Sequence, residues 1–212
     1  MAVLSPKENI LNRIREALSN PVPLPFPESE GKRNIFNNPG EDLLVIFAEE
    51  FIKLQGNFSY CADKDELARQ LMQLLAEKDW NKIYCAEKEL QKLLSSNGIT
   101  QYADLASCDV SVTGCECLVA RTGSMVLSSA QAMGRTGSVY APVHICIAYT
   151  DQVVYDVKDA LLLLQGKYGM ALPSFISFAS GPSRTADIEK TLVTGVHGPK
   201  EVYCFLTDRY KI

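Results

Sequence analysis

The stretch running from Phe58-Ser59-Tyr60-Cys61 to Lys82-Ile83-Tyr84-Cys85 decides the fold. Each end is a short apolar and aromatic run with the composition of a buried strand. Between them Asp63 or Asp65 offers an N-cap, and Leu67, Leu71, Leu74 and Leu75 recur at helical spacing. Strand, helix and strand in succession open a parallel sheet, because parallel strands need a crossover and a helix is the usual one. The same alternation holds outward. Leu43 to Leu54 reads as a helix stopping near Gly56, and Glu87 to Leu94 as a helix ended by Asn97-Gly98. Val110 to Thr113, Met125 to Ser128 and Val143 to Thr150 read as strands, Val157 to Leu164 as a helix, and Val202 to Leu206 as a closing strand. The expected fold class is α/β, a mostly parallel sheet covered on both faces by helices.

Toward the carboxyl end, Phe175-Ile176-Ser177-Phe178-Ala179 has the aromatic content of a strand, and Gly181-Pro182-Ser183-Arg184-Thr185-Ala186-Asp187 follows it. From Ala186 to Val193 the apolar residues are spaced like those of a helix. A strand, a loop rich in Gly and Ser, and a helix present free backbone N–H groups to an anion, and Arg184 adds a fixed positive fork there. The same residues also suit a capped helix start, with Ser183 or Thr185 as N-cap and Asp187 favouring the helix dipole. The two readings are compatible.

The N-terminus differs in character. Ser5-Pro6 is a helix start, and Ile10, Leu11, Ile14, Ala17 and Leu18 form an apolar stripe. Pro21, Pro23, Pro25 and Pro27 then alternate with Val22, Leu24 and Phe26, which suits extended chain and no helix or central strand. Residues 1–40 thus read as a helix and proline-rich arm and 41–212 as the α/β domain. The arm either makes an oligomer contact or folds back on its own domain, and the sequence leaves both open.

Composition narrows the class. Of the 212 residues 47% are hydrophobic, which excludes disorder throughout, and a formal charge of −4 gives no support to nucleic-acid binding. No apolar run approaches the roughly 20 residues of a membrane-spanning helix. Lys7, Glu8, Arg13, Arg15 and Glu16 interrupt the pattern of a signal peptide, so a soluble, cytoplasmic protein is expected. The seven cysteines are scattered, and the one close pair, Cys115-Glu116-Cys117, has neither the spacing nor the second pair of a structural metal site. Reduced thiols buried as small hydrophobes are expected, with no metal site and no cofactor or iron–sulfur cluster in this chain.

Three segments are candidate ligand seats at the carboxyl ends of the strands. Besides Gly181, Ser183, Arg184, Thr185 and Asp187, these are Thr122-Gly123-Ser124 and the loop Gly134-Arg135-Thr136-Gly137, whose Arg135 suits closure over an anion or simple solvation. Gly123 reads first as a backbone requirement. His144 and His197 are the only histidines, so imidazole acid–base chemistry would fall to one of them; otherwise His144 packs in its strand and His197 holds its turn. No Gly-x-Ser-x-Gly elbow, P-loop or Gly-x-Gly-x-x-Gly fingerprint is present. A covalent carboxylate mechanism would have only Glu116 or Glu189 by elimination, and no catalytic residue is assigned.

Thr122-Gly123-Ser124, Pro142-Val143-His144, the Gly181 to Asp187 loop and Val196-His197-Gly198-Pro199 occur in an order and spacing that resembles the LUD domain of the lactate utilisation protein C family. The resemblance covers roughly Phe51 to Asp208. It implies a fold similar to the CoA-transferase, ribose-phosphate isomerase and formyltetrahydrofolate cyclo-ligase group. It also implies work beside two partner proteins, with iron–sulfur clusters in one or both, in oxidising L-lactate to pyruvate. The chain departs from the family at Arg121, where many members have Glu before the Thr-Gly pair, and this reverses a charge beside a candidate ligand seat.

Three functions follow as expectations. The first is a non-redox subunit of an iron–sulfur-dependent L-lactate oxidation system that binds a small anionic ligand, its electrons carried by its partners. The second is a free-standing enzyme acting on a CoA thioester, folate or sugar phosphate. The third is a regulatory module that senses an organic acid.

Overall fold

A computed structural model describes residues 5–19, 40–188 and 191–209. The chain falls into two compact units, Met1–Asn37 and Asn38–Ile212. In the first, helix α1 (Pro6–Ser19) starts with a reciprocal cap: Glu8 N donates to Ser5 Oγ at 3.3 Å and Ser5 N to Glu8 Oε2 at 2.8 Å. The alternating prolines lie outside the described residues.

The second unit runs α2 (Leu43–Lys53), β1 (Asn57–Cys61), α3 (Lys64–Glu77), β2 (Ile83–Tyr84), α4 (Lys88–Ser96) and β3 (Val110–Thr113). It continues through β4 (Cys117–Val119), β5 (Ser124–Ser128), β6 (Val143–Tyr149), β7 (Val153–Val154) and α5 (Val157–Tyr168). The last strands are β8 (Ile176–Ala179), β9 (Arg184–Ile188), β10 (Thr191–Thr194) and β11 (Glu201–Thr207). Five strands pair in the order β1-β11-β6-β3-β2, every pair parallel. Helix α3 therefore carries the chain from one edge of this sheet to the other.

Alternation along the strands divides the core. On one face Ile145, Ile147, Tyr203 and Phe205 pack with Leu67, Leu71, Leu90 and Leu94 of α3 and α4. Residues of the opposite parity, Cys146, Cys204 and Leu206, pack with Phe47 and Phe51 of α2 and with Met125 and Leu127 of β5. The mostly parallel sheet with flanking helices thus holds. The second face, however, is covered by α2 and by another sheet, β7-β4-β5-β8, rather than by helices alone. Strands β4–β5 and β5–β8 are antiparallel, so the runs at 125–128 and 176–179 are strands of this second sheet. Its outer side, with Cys117, Val119 and Val126, buries Ala160 and Leu164 of α5.

The segment after Ser183 corrects the sequence reading. Instead of a helix from Ala186, β9 and β10 form an antiparallel hairpin. The β-branched Thr185, Ile188, Thr191, Val193 and Thr194 favour extended chain over helix, and that preference outweighs the apolar spacing. All seven cysteines are buried with free thiols, and Cys146 and Cys204 face each other in register on β6 and β11. Among the described residues no helix is long and apolar enough to cross a membrane.

Candidate functional site

Two of the three predicted ligand segments meet, and their meeting point is the carboxyl end of α2. Gly123, at φ +53°, lies so close to α2 that a Cβ would come within 2.5 Å of the Phe51 backbone nitrogen. Gly181, at φ +82°, presses in the same way on the Leu54 carbonyl. The exposed Arg184 donates its guanidinium to that carbonyl, a basic side chain on the last carbonyls of a helix. Ser124 Oγ joins the segments, lying 2.8 Å from Thr122 Oγ1 and 2.6 Å from Ser180 Oγ. Both glycines are therefore explained by close approach of backbone to backbone.

The other predicted residues lie apart. Ser183 N donates to Pro199 O and Ser183 O accepts from Gly195 N, each at 2.9 Å, which ties the hairpin's base to the turn before β11. Thr185 and Asp187 fall within β9. His197 is exposed in that turn. Arg135 donates to Ser174 Oγ at 2.9 Å and lies over the Phe175 ring, which anchors its loop to the start of β8. His144 is buried between β3 and β11, its Nε2 2.8 Å from Thr113 Oγ1. Burial pushes its imidazole down to about 4, so it is neutral near pH 7. Arg121 forms a two-nitrogen contact with Asp156 Oδ1, at 2.9 Å from Nε and 2.6 Å from Nη2, and the reversed charge at this position is thus matched inside the chain.

Chemistry concentrates instead at the carboxyl edge of the parallel sheet. Glu87 stands at the N-cap position of α4, three residues past the end of β2 at Tyr84, yet makes no side-chain cap bond to its own helix. Its Oε1 accepts from Gly114 N at 2.9 Å, at the end of β3. A side chain at 114 would crowd the other oxygen, since a Cβ there would lie 2.9 Å from Glu87 Oε2. Burial pushes this carboxyl up, the Gly114 N–H pulls it down, and the charges of Glu116 and Glu89 push it up further. A half-buried carboxyl raised in this way suits proton transfer.

Glu116, two residues beyond Gly114, is the opposite case. Its buried carboxylate accepts from Ser128 Oγ at 2.6 Å, Tyr168 Oη at 2.7 Å and Lys167 Nζ at 2.7 Å. Burial pushes its carboxyl up, and the bonds from Lys167, Ser128 and Tyr168 outweigh this and hold it below the ordinary value. With its lone pairs engaged, Glu116 binds the end of α5 to the turn between β3 and β4 and is a poor nucleophile. Glu87 was missed in the sequence, where it read only as a helix start. The available signal was a glutamate in the short link between a strand and a helix, at a cap position that favours Ser, Thr, Asp or Asn.

Comparison with known proteins gives this geometry a family. Lactate utilization protein C from Anoxybacillus flavithermus is 25% identical over 219 aligned positions, which cover 95% of this chain and 98% of that protein. The protein of the same name from Geobacillus sp. (strain WCH70) is 39% identical over 111 residues, 51% of this chain and 45% of the relative. The one from Bacillus subtilis is 36% identical over 104 residues, 48% of this chain and 43% of the relative. In these last two the match thus spans less than half of the relative's length. A crystal structure of a DUF162 family protein from Deinococcus radiodurans shares the fold, with a TM-score of 0.58 and 18% identity over 78% of this chain and 96% of that one. Residues 91–207, more than half of the chain, match the family model described as the LUD domain. They run from within α4 to the end of β11, leaving Glu87 just outside the match, and the chain belongs to the LUD-domain family.

Proposed function

We propose that this protein serves lactate utilisation as a non-redox subunit, working in the cytoplasm beside iron–sulfur proteins that carry the electrons from L-lactate, and that it binds a small anionic ligand. One observation carries the reading: the alignment to a relative named lactate utilization protein C runs through 95% of this chain and 98% of that protein. A division of labour supports it, since a subunit that binds and positions need not itself hold a redox group. The test is deletion of the gene in its host. Growth on L-lactate is expected to stop and to return with the gene, while growth on pyruvate continues; unimpaired growth on L-lactate would overturn the reading. The iron–sulfur partners are expected to be retained by the tagged protein from lactate-grown cells.

Glu87 favours one second reading, a free-standing enzyme acting on a CoA thioester, folate or sugar phosphate. A half-buried carboxyl pushed up by its surroundings at a strand end is the group such an enzyme needs. On that reading the purified chain turns over substrate alone and Glu87→Gln abolishes it.

A further inference from the structure

The parallel sheet has a second feature at its carboxyl edge, on the face of α3 and α4. Thr207 ends β11 with the parity of Tyr203 and Phe205, and Tyr149 ends β6 with the parity of Ile145 and Ile147. The two are register partners, so both belong to the helix-covered face. Between α3 and α4 a cleft of about 320 Å³ opens over them. Thr207 is wholly buried, and its Oγ1 has no hydrogen-bond partner among the described residues. A buried hydroxyl left without a partner costs free energy, and natural folds keep few of them.

The surroundings say what would satisfy it. Leu67 of α3 and Leu90 and Leu93 of α4 form apolar walls. Lys64 at the start of α3 and Lys92 on α4 line the cleft from exposed positions, and neither forms an ion pair among the described residues. Glu89 is the single acid in the lining, so the balance is positive. Because Thr207 pairs in register with Cys61, and Lys64 follows Cys61 across the Ala62-Asp63 turn, the hydroxyl and the ammonium belong to the same edge. Clefts of about 350 and 460 Å³ lie elsewhere, one beside Trp80 and Ile83 at the amino end of β2 and one along the open edge of β1. Among the described residues, neither is lined by one with an orphaned buried polar atom. The other orphan, Ser111 Oγ, lies inside β3 and lines none of the three.

We propose that this cleft binds a small organic monocarboxylate with an apolar body. Its oxygen-bearing head meets Thr207 Oγ1 and Lys64, and its body lies along Leu67, Leu90 and Leu93. An apolar cavity with a few convergent polar groups at the carboxyl ends of parallel strands is a usual place for such a ligand. The site deepens the lactate-utilisation reading, because it seats that reading's anionic ligand, and rests on it only for the choice of carboxylate over other anions.

The experiment is a methyl and amide NMR titration of the full-length protein with L-lactate, pyruvate, α-ketoisocaproate, phenylpyruvate and, as a probe lacking the second oxygen function, isocaproate. At least one oxo or hydroxy acid is expected to move the methyl signals of Leu67, Leu90 and Leu93 saturably, with isocaproate weaker. Thr207→Val keeps the volume and removes the hydroxyl; it is expected to weaken binding about tenfold while leaving Tm unchanged or raised. Lys64→Gln, a surface change, is expected to weaken binding without altering Tm. The proposal is overturned if no acid moves those signals, if Thr207→Val binds as before, or if Thr207→Val lowers Tm and so reveals a structural partner for the hydroxyl. Growth of the deletion strain on L-lactate reports on the protein's role and the titration on the cleft, so either can fail while the other stands.

Discussion

His144 shows what a residue's surroundings do to its chemistry. Its ring is held between two strands with one hydroxyl partner, and burial sets its protonation near pH 4 against an ordinary 6.5. Above about pH 6.5 the imidazole is neutral in both folded and unfolded chains. Below that the unfolded chain takes up a proton that the folded chain refuses, so stability falls with pH until the folded ring also protonates near 4. Between about pH 7 and pH 5 this linkage is expected to cost about 2 kcal/mol, before most carboxylates titrate. Urea unfolding across that range checks it, and His144→Gln should flatten the slope. The sequence showed His144 inside a strand and so pointed to packing. It could not show that Glu87 turns from its own helix to Gly114, because that bond joins residues from neighbouring strand ends.

At the scale of elements, the helices beginning near Leu43, Asp63 and Val157 were legible, whereas the helix start expected at Ser183 or Thr185 proved to be strand. Asp42, Asp63 and Asp156 cap α2, α3 and α5, each accepting a backbone N–H of the first turn. Asp156 carries a second duty as the partner of Arg121, which links α5 to the turn between β4 and β5. Asp156→Ala removes both contacts and is expected to cost about 2 kcal/mol, measured as a lower midpoint in chemical denaturation. Shorter or less periodic elements were harder to read. Cys117-Leu118-Val119 and Val153-Val154 are too brief to show alternation, and both became strands only because β5 and each other supplied a sheet. The hairpin β9–β10 carries β-branched residues at spacings that fit a helix as well, and local pattern cannot rank two periods that both match.

For the whole molecule, the alternation of strands and helices identified the parallel sheet but not its order. Consecutive strands β1 and β2 end on opposite edges, with β11 from the far end of the chain drawn in beside β1. Long-range pairing of this kind leaves no local trace, and neither does the second sheet that replaces helices on one face. The buried residues of all three cores fall within the second unit. The buried thiols give that unit a further property. Burial pushes Cys61 and Cys85 up to about 11 and Cys117 to about 12, so these sulfurs stay unreactive while the chain is closed. Since they are spread over both sheets, an alkylating reagent would mark only the strand that had just breathed, and the order of labelling would chart the local opening kinetics of the fold without any probe being added.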